Sequence, residues 1–215
     1  MNTTDELEFL AQFVTDRRKA RIEEILSQRT RHISIALENI YQTHNAAAVL
    51  RSCDCFGIQD AHIIENSNSF TPSPDVSLQA DKWLSLRRYN QEENNTLACI
   101  RQLKAEGYKV IGTSLHKNSI WLDEVDLSEP VAVVFGTELT GISEIVEQEA
   151  DVLMKIPMYG FSESFNISVS AAIILSQLRN KLEKEGIDWE LSEDEKEAIR
   201  LDWYRKSTKA RLPKK

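Results

Sequence analysis

The chain has 215 residues, 34 of them acidic and 26 basic, for a formal net charge of -8, with 41% hydrophobic residues, seven glycines, five prolines and three cysteines. This composition excludes collagen-like, low-complexity and disulfide-scaffold classes and leaves ample apolar material for a core. No run approaches the roughly 18 apolar residues of a membrane span, and the start lacks the basic region and long apolar stretch of a signal peptide. Three thiols fit a reducing cytosol. The expectation is a cytoplasmic protein without membrane or metal partners, built as one domain with added helices.

In chain order, the first thirty residues read as helices. The run 16–28 places Ala20, Ile22, Ile25 and Leu26 on one stripe. HISIALE, 32–38, reads as a strand, and a helix follows from about Asn45 to Phe56, closed by Gly57. AHIIE, 61–65, is a short apolar run, and the Ser-, Asn- and Pro-rich 65–80 reads as a surface loop. A helix over about 92–105 precedes three apolar strands at 108–115, 131–135 and 151–156. A long apolar helix spans about 166–182 and a polar one 192–204. Strands alternating with helices predict an α/β domain with a mostly parallel sheet. The apolar strands lack alternation, as expected when helices cover both sheet faces.

Charge is unevenly placed. Residues 1–31 hold six basic and six acidic side chains, and residues 204–215 hold six basic and no acidic ones. The stretch between them holds 14 basic and 28 acidic side chains. Net charge alone argues against a polyanionic partner, whereas its placement lets both ends offer positive surface. Candidate nucleic-acid contacts are Arg17, Arg18, Lys19 and Arg21, with Arg29 and Arg31 nearby in sequence, and Arg205, Lys206, Lys209 and Arg211 in the tail.

Three segments carry polar residues where the apolar pattern predicts burial or a turn. In HNAAAVLRSCDCFG, 44–57, Asn45 is a candidate N-cap, and Arg51 interrupts an apolar helix, either paired, reaching an anion, or snorkelling to the surface. In VVFGTELTGIS, 133–143, a strand runs into Gly136, then Glu138 and Gly141, at a place where open α/β sheets bind ligands. Gly136 would let a cofactor approach the backbone. In IPMYGFSESFNISVSAAIIL, 156–175, the polar residues Ser164, Asn166, Ser168 and Ser170 crowd a helix start, more than capping alone needs. There is no three-glycine dinucleotide fingerprint and no Gly-Lys-Ser/Thr phosphate loop. Cys53 and Cys55 do not face together on a helix, and the histidines at 32, 44, 62 and 116 are scattered, reading as core or surface residues.

In this order and spacing the three segments resemble the motifs of the SpoU group of S-adenosylmethionine-dependent RNA 2′-O-ribose methyltransferases, within the SPOUT class. The matching residues are Asn45 through Arg51 and Gly57, then Gly136, Glu138 and Gly141, then Ile156 to Met158, Gly160 and Ser164 to Asn166. Residues 17–58 are further similar to the TrmH branch, the tRNA (guanosine-18) 2′-O-methyltransferases. Departures are Leu139, where the family often has lysine, and Phe165, where it usually has leucine.

The resemblance implies a parallel α/β domain with a deep C-terminal trefoil knot, flanked by N- and C-terminal helices, in a homodimer whose site lies near the subunit interface. It implies a division into a helical extension over 1–30, a methyltransferase domain over 31–183 and a basic helical extension over 184–215. The cofactor would be held around Gly136, Ile156 and Phe165, with Thr113 and Met158 contributing. Arg51 is the residue to which the family assigns catalysis. A guanidinium is a poor base, so the resemblance is better served by Arg51 gripping a phosphate, with Asn45, Glu138, Ser164 and Asn166 positioning the ribose and fixing Arg51. The expected function is methyl transfer to a tRNA ribose, with guanosine-18 as the expected target. The alternatives are ribosomal RNA or another tRNA position, a non-catalytic RNA-binding dimer, and a small-molecule methyltransferase.

Overall fold

The computed structural model describes residues 3–70, 80–116 and 118–208. In chain order its elements are α1 (Thr3–Ala11), α2 (Asp16–Leu26), β1 (Ile33–Glu38), α3 (Thr43–Cys55), β2 (Asp60–Ile64), β3 (Ser85–Tyr89), α4 (Asn95–Ala105), β4 (Lys109–Thr113) and β5 (Ile120–Trp121). They continue with β6 (Val131–Phe135), α5 (Glu144–Glu149), β7 (Val152–Lys155), α6 (Ile167–Glu185) and α7 (Glu193–Thr208). The chain divides into two compact units, one spanning Arg31–Trp189 and the other formed by the two terminal segments, up to Thr30 and from Glu190.

The larger unit is a seven-stranded sheet in the order β3-β2-β1-β6-β4-β7-β5. Every pairing is parallel. At its centre every residue of β1 and of β6 is buried. Side chains alternate between two covered faces, so β6 is apolar throughout and β1 is apolar but for Ser34 and Glu38. Ile33, Ile35 and Leu37 join Val131, Val133 and Phe135 in one core with Val49 and Leu50 of α3 and Ile174 and Leu178 of α6. Ala36, Ala132 and Val134 form the opposite core with Ile100 and Leu103 of α4 and Val146 of α5. Each of these side chains larger than alanine contributes about 1.5–3 kcal/mol on burial.

The sequence reading has β2 only as a short apolar run and misses β3 and β5. β3 is an edge strand reading SLRRY, with Ser85, Arg87 and Arg88 exposed. Charge on an edge blocks pairing with a second sheet and erases the apolar signal. β5 is only two residues long. The surface loop read over 65–80 lies partly outside the described residues, which resume at residue 80, and Phe70 within it is buried.

In the terminal unit α1 and α2 pack against α7. Leu10, Ile22, Leu26, Ile199 and Trp203 are buried there, and two bidentate ion pairs, Arg200–Glu23 and Arg205–Glu6, tie the helices together. Ala20, placed on the buried stripe of α2 by periodicity, is exposed. Arg29 is also not surface charge. It is 1% exposed and its guanidinium lies 5.3 Å from the centre of the Trp203 ring. Arg31 pairs with Asp60 at 3.0 Å, in the larger unit.

On β2 the buried His62 imidazole bonds the Tyr89 hydroxyl at 3.1 Å. Burial, reinforced by the Arg87 charge, pushes its pKa down to about 4. An unfolded histidine titrates near 6.5, so between about pH 6.5 and 4 the unfolded chain takes up a proton that the folded chain does not. Stability therefore rises with pH across that window, and His62 accounts for about 2–3 kcal/mol of the loss between pH 7 and pH 4.5. Urea unfolding of wild type and His62→Gln at both pH values tests this. The variant is expected to lose measurably less stability on acidification, and equal losses would remove His62 from the account.

Candidate active site

The turns leaving β4, β6 and β7 enclose a cavity of about 580 Å³ at the carboxyl ends of these strands. That volume lies within the roughly 300–1,000 Å³ of small-molecule sites, and the position is where open α/β sheets bind ligands. Its apolar wall comes from Phe135, Ile142, Met154, Ile156, Ile167 and Ile174. Its charged lining is Glu138, Glu147, Glu163, His116 and Lys155.

The turn after β6 forms one side. Thr137 and Gly141 exchange two main-chain hydrogen bonds of 2.9 and 3.0 Å, and the Thr137 hydroxyl accepts from the Thr140 N–H at 3.1 Å. Gly141 sits at φ +71°, in the left-handed region that favours glycine. A Cβ on Gly136 would lie 2.0 Å from the carbonyl carbon and oxygen of Gly141. The turn itself thus requires glycine at 136, where its own main chain comes close, and Gly136 also lines the cavity. The next helix, α5, is capped by Ser143 through the Val146 N–H.

Above the turn stands a polar cluster. The Asn45 side-chain amide donates to Gln42 Oε1 at 2.9 Å and to Glu138 Oε1 at 2.8 Å. Asn166 donates to the same Glu138 oxygen at 2.6 Å. The Asn166 Oδ1 atom accepts the N–H and the hydroxyl of Ser168 at 2.8 and 2.6 Å, which caps α6. Asn45 does not cap α3 as its sequence position suggested. The N-cap is Gln42, and Asn45 is a buried residue of the helix whose side chain crosses to the β6 turn. Three motifs remote in sequence thus meet at one carboxylate.

Gly136, Ile156, Phe165, Thr113 and Met158 all line the cavity, as do Glu138 and Ser164. The Thr113 hydroxyl donates to the Val134 carbonyl at 3.0 Å, joining β4 to β6 at the cavity floor. Arg51 stands apart. It is exposed, has no ion pair among the described residues and does not line the cavity. Six residues along α3 from Asn45, it lies about 9 Å further along the axis and roughly 240° around it. The expectation that Asn45 and Glu138 fix Arg51 is corrected accordingly, since within one chain they bond to each other and to Asn166.

Of the candidate nucleic-acid contacts, Arg17, Arg18 and Arg21 are exposed on α2 and Lys19 is half-buried. Lys19 pairs with Asp16 and Arg21 with Glu24. Arg205 and Lys206 are engaged by Glu6 and Asp202. Lys209 and Arg211 lie outside the described residues.

Sequence reasoning missed a further pair. His116 Nε2 lies 2.9 Å from Glu147 Oε1, and both residues line the cavity. His116 follows a parallel strand by three residues, and the rule that singled out Gly136 could have found it. Among the described residues no group of three or more His, Cys, Asp or Glu side chains is placed to hold a metal ion.

Fold and site together define a parallel α/β protein with a small-molecule cavity at the strand ends and a polar cluster on its rim. Residues 32–176 match the model of the SpoU rRNA Methylase family, to which the chain belongs. It is 43% identical over 200 residues to a tRNA (guanosine(18)-2′-O)-methyltransferase of Borreliella burgdorferi, covering 93% of this chain and 90% of that protein. It is 34% identical over 194 residues to an enzyme of the same name from Thermus thermophilus, covering 89% and 98%. The crystal structure of the TrmH/SpoU tRNA modifying enzyme of Aquifex aeolicus superposes with a TM-score of 0.79 at 28% identity, covering 89% of this chain and 96% of that one.

The two glycines of the β6 turn predict different costs. Gly141→Ala meets no atom within 4 Å and loses only its backbone preference, about 1–2 kcal/mol. Gly136→Ala drives a methyl into main chain and is expected to cost about 3 kcal/mol or more. Denaturant unfolding of both variants decides the point, and equal losses would show that the turn yields to the added methyl.

Proposed function

We propose that this chain is an S-adenosylmethionine-dependent tRNA 2′-O-ribose methyltransferase that modifies guanosine-18. The observation that carries the reading is the convergence of Asn45, Glu138 and Asn166 on the rim of a carboxylate-lined cavity. The names of the 43% and 34% identical relatives support the substrate.

The cavity fits the cofactor chemically. Its apolar wall suits an adenine ring, and Glu138, Glu147 and Glu163 give a negative field suited to a ligand bearing sulfonium and ammonium charge. Main-chain groups around Gly136, Ile156 and Phe165 would hold it, with Thr113 and Met158 beside them. When bound, S-adenosylmethionine supplies an electrophilic methyl carbon on a sulfonium.

The protein's own contribution is orientation and charge. Asn45 and Asn166 fix Glu138 through one oxygen, and the other has no hydrogen-bond partner among the described residues. That oxygen accepts a hydrogen bond from a ribose hydroxyl and sets its direction. Ser164 offers a second polar contact on the same rim. Arg51, exposed and outside its own chain's cavity, would act from the RNA side by gripping a phosphate near the target ribose.

Two further readings belong with this one. β7 pairs on one side with β4 and on the other with β5, strands joined by only six residues, so chain entering and leaving β7 passes that connection. This supports a knot in the C-terminal part. Leu139, Tyr159 and Phe161 are almost wholly exposed, and Phe165 and Val169 partly so, beside the cavity. A second copy of the chain covers them in a homodimer, which puts the site at the subunit boundary and leaves the outward-facing Arg51 available to RNA there. The methyltransferase domain is 31–183, and the segments 1–30 and 184–215 serve substrate binding. No helix among the described residues is long and apolar enough to cross a membrane. The free Cys53, Cys55 and Cys99 suit the cytoplasm.

Methyl transfer from labelled S-adenosylmethionine to unmodified tRNA transcripts, with mapping of the alkali-resistant dinucleotide, tests the reading. The label is expected at guanosine-18, and label only in ribosomal RNA fragments would overturn the substrate. Arg51→Ala is expected to lower turnover roughly 10²–10³-fold with cofactor affinity by calorimetry unchanged. Undiminished turnover on bound tRNA would remove Arg51 from the mechanism.

A further inference from the structure

At the end of α1 the chain buries its smaller apolar side chains and leaves its larger ones outside. Leu10 and Val14 are 1% and 6% exposed, while Phe9 and Phe13 are 37% and 57% exposed. The two rings meet edge to face, with centroids 5.2 Å apart at 62°. Their position is fixed by the turn that closes α1, in which the Gln12 and Phe13 N–H groups donate to the Phe9 and Leu10 carbonyls. A pair of rings held by rigid backbone keeps its geometry with little loss of freedom when a ligand arrives.

The charge around this pair is graded. The acids of α1, Asp5, Glu6 and Glu8, precede the rings, and Glu6 is neutralised by Arg205. Beyond the rings, Thr15 caps α2 and the exposed Arg17, Arg18 and Arg21 follow. Arg17 has no partner among the described residues, and its Cα lies within about 14 Å of that of Phe13 by chain length alone. Exposed aromatic faces followed by arginines are the combination with which proteins hold unpaired nucleotides, bases on the rings and phosphates on the cations.

We propose that Phe9 and Phe13 form a stacking platform for unpaired bases of the RNA substrate, with Arg17 on an adjacent phosphate. This rests on the RNA methyltransferase reading and adds how the terminal unit tells looped RNA from duplex. Stacking needs a free base face, which a tRNA loop offers and a continuous helix does not.

The test uses the full chain and the double variant Phe9→Ala/Phe13→Ala. Binding of an unmodified tRNA transcript and of a duplex RNA of equal length is titrated at several salt concentrations. The variant is expected to bind tRNA roughly 5- to 150-fold more weakly, with the slope of log affinity against log salt unchanged, and to bind duplex as wild type does. Phe9→Tyr/Phe13→Tyr is expected to keep tRNA affinity, and Arg17→Ala to reduce the salt slope by roughly one. Unchanged tRNA affinity in the double alanine variant, equal losses on tRNA and duplex, or a change in oligomeric state as its only effect would overturn the platform. Wild-type protein that methylates tRNA while the alanine variant binds normally sinks this inference alone. Wild type that neither binds nor methylates tRNA sinks the functional reading with it.

Discussion

Strands of a parallel sheet all end on the same side, and the turns that leave them carry main-chain groups that no neighbouring strand satisfies. Here side-chain oxygens take up that role in sequence along the edge. The buried Glu38 carboxylate, at the end of β1, accepts the Ser143 N–H at 2.9 Å, the Ser143 hydroxyl at 2.7 Å and the Thr96 hydroxyl at 2.6 Å. Asn39, at φ 52°, accepts the N–H groups of Asn66 and Ser67 at 2.8 and 3.0 Å. Glu65 accepts the Phe70 N–H at 2.6 Å and two bonds from Arg88, whose guanidinium holds the carboxyl below the usual range against the opposing effect of burial. Without such acceptors the turns could not stay where they are.

The rim of the cavity extends the same device. Glu138 lies on the turn after β6, and the donors it collects come from α3 and from the start of α6. Glu38 meanwhile anchors the far end of that turn through Ser143. The turn is thus held at both ends by side chains from other elements and in its middle by the crowding of Gly136 against Gly141. A carboxylate fixed in this way needs little reorganisation when charge develops nearby, which is what electrostatic stabilisation of a transition state requires.

How much of this could be read from the sequence follows from which signals are local. β6 is legible because burial on both faces leaves an unbroken apolar run, β1 because its run is broken only by Ser34 before Glu38 ends it, and α6 because its stripe is long. β3 is hidden by Arg87 and Arg88, whose charge belongs to the sheet edge. The site residues are legible only as motifs. Periodicity marks Asn45 and Asn166 as out of place without saying that they share Glu138, since that contact joins positions 93 and 28 residues apart. The demand that its own turn makes on Gly136 is hidden for a related reason. A close approach can be inferred from a glycine, but what approaches is a property of the folded turn. His116 is within reach of the strand-end rule, but its pairing with Glu147 is not, being made by the packing of α5 against β4.

The same distinction governs charge. A net charge of -8 speaks against a polyanionic ligand, and the basic ends speak for one, but neither counts the charges that are used inside the protein. Arg29 is buried on Trp203, Arg31 pairs with Asp60, Arg200 with Glu23 and Arg205 with Glu6. On α2, Arg17, Arg18 and Arg21 are exposed, with Arg21 paired to Glu24 and Lys19 to Asp16. Long-range attraction of a polyanion follows the summed field, whereas discrimination follows the particular groups that a ligand touches. Six basic residues counted at the N-terminus therefore reduce to a narrower exposed set on α2, part of which is already paired within the helix.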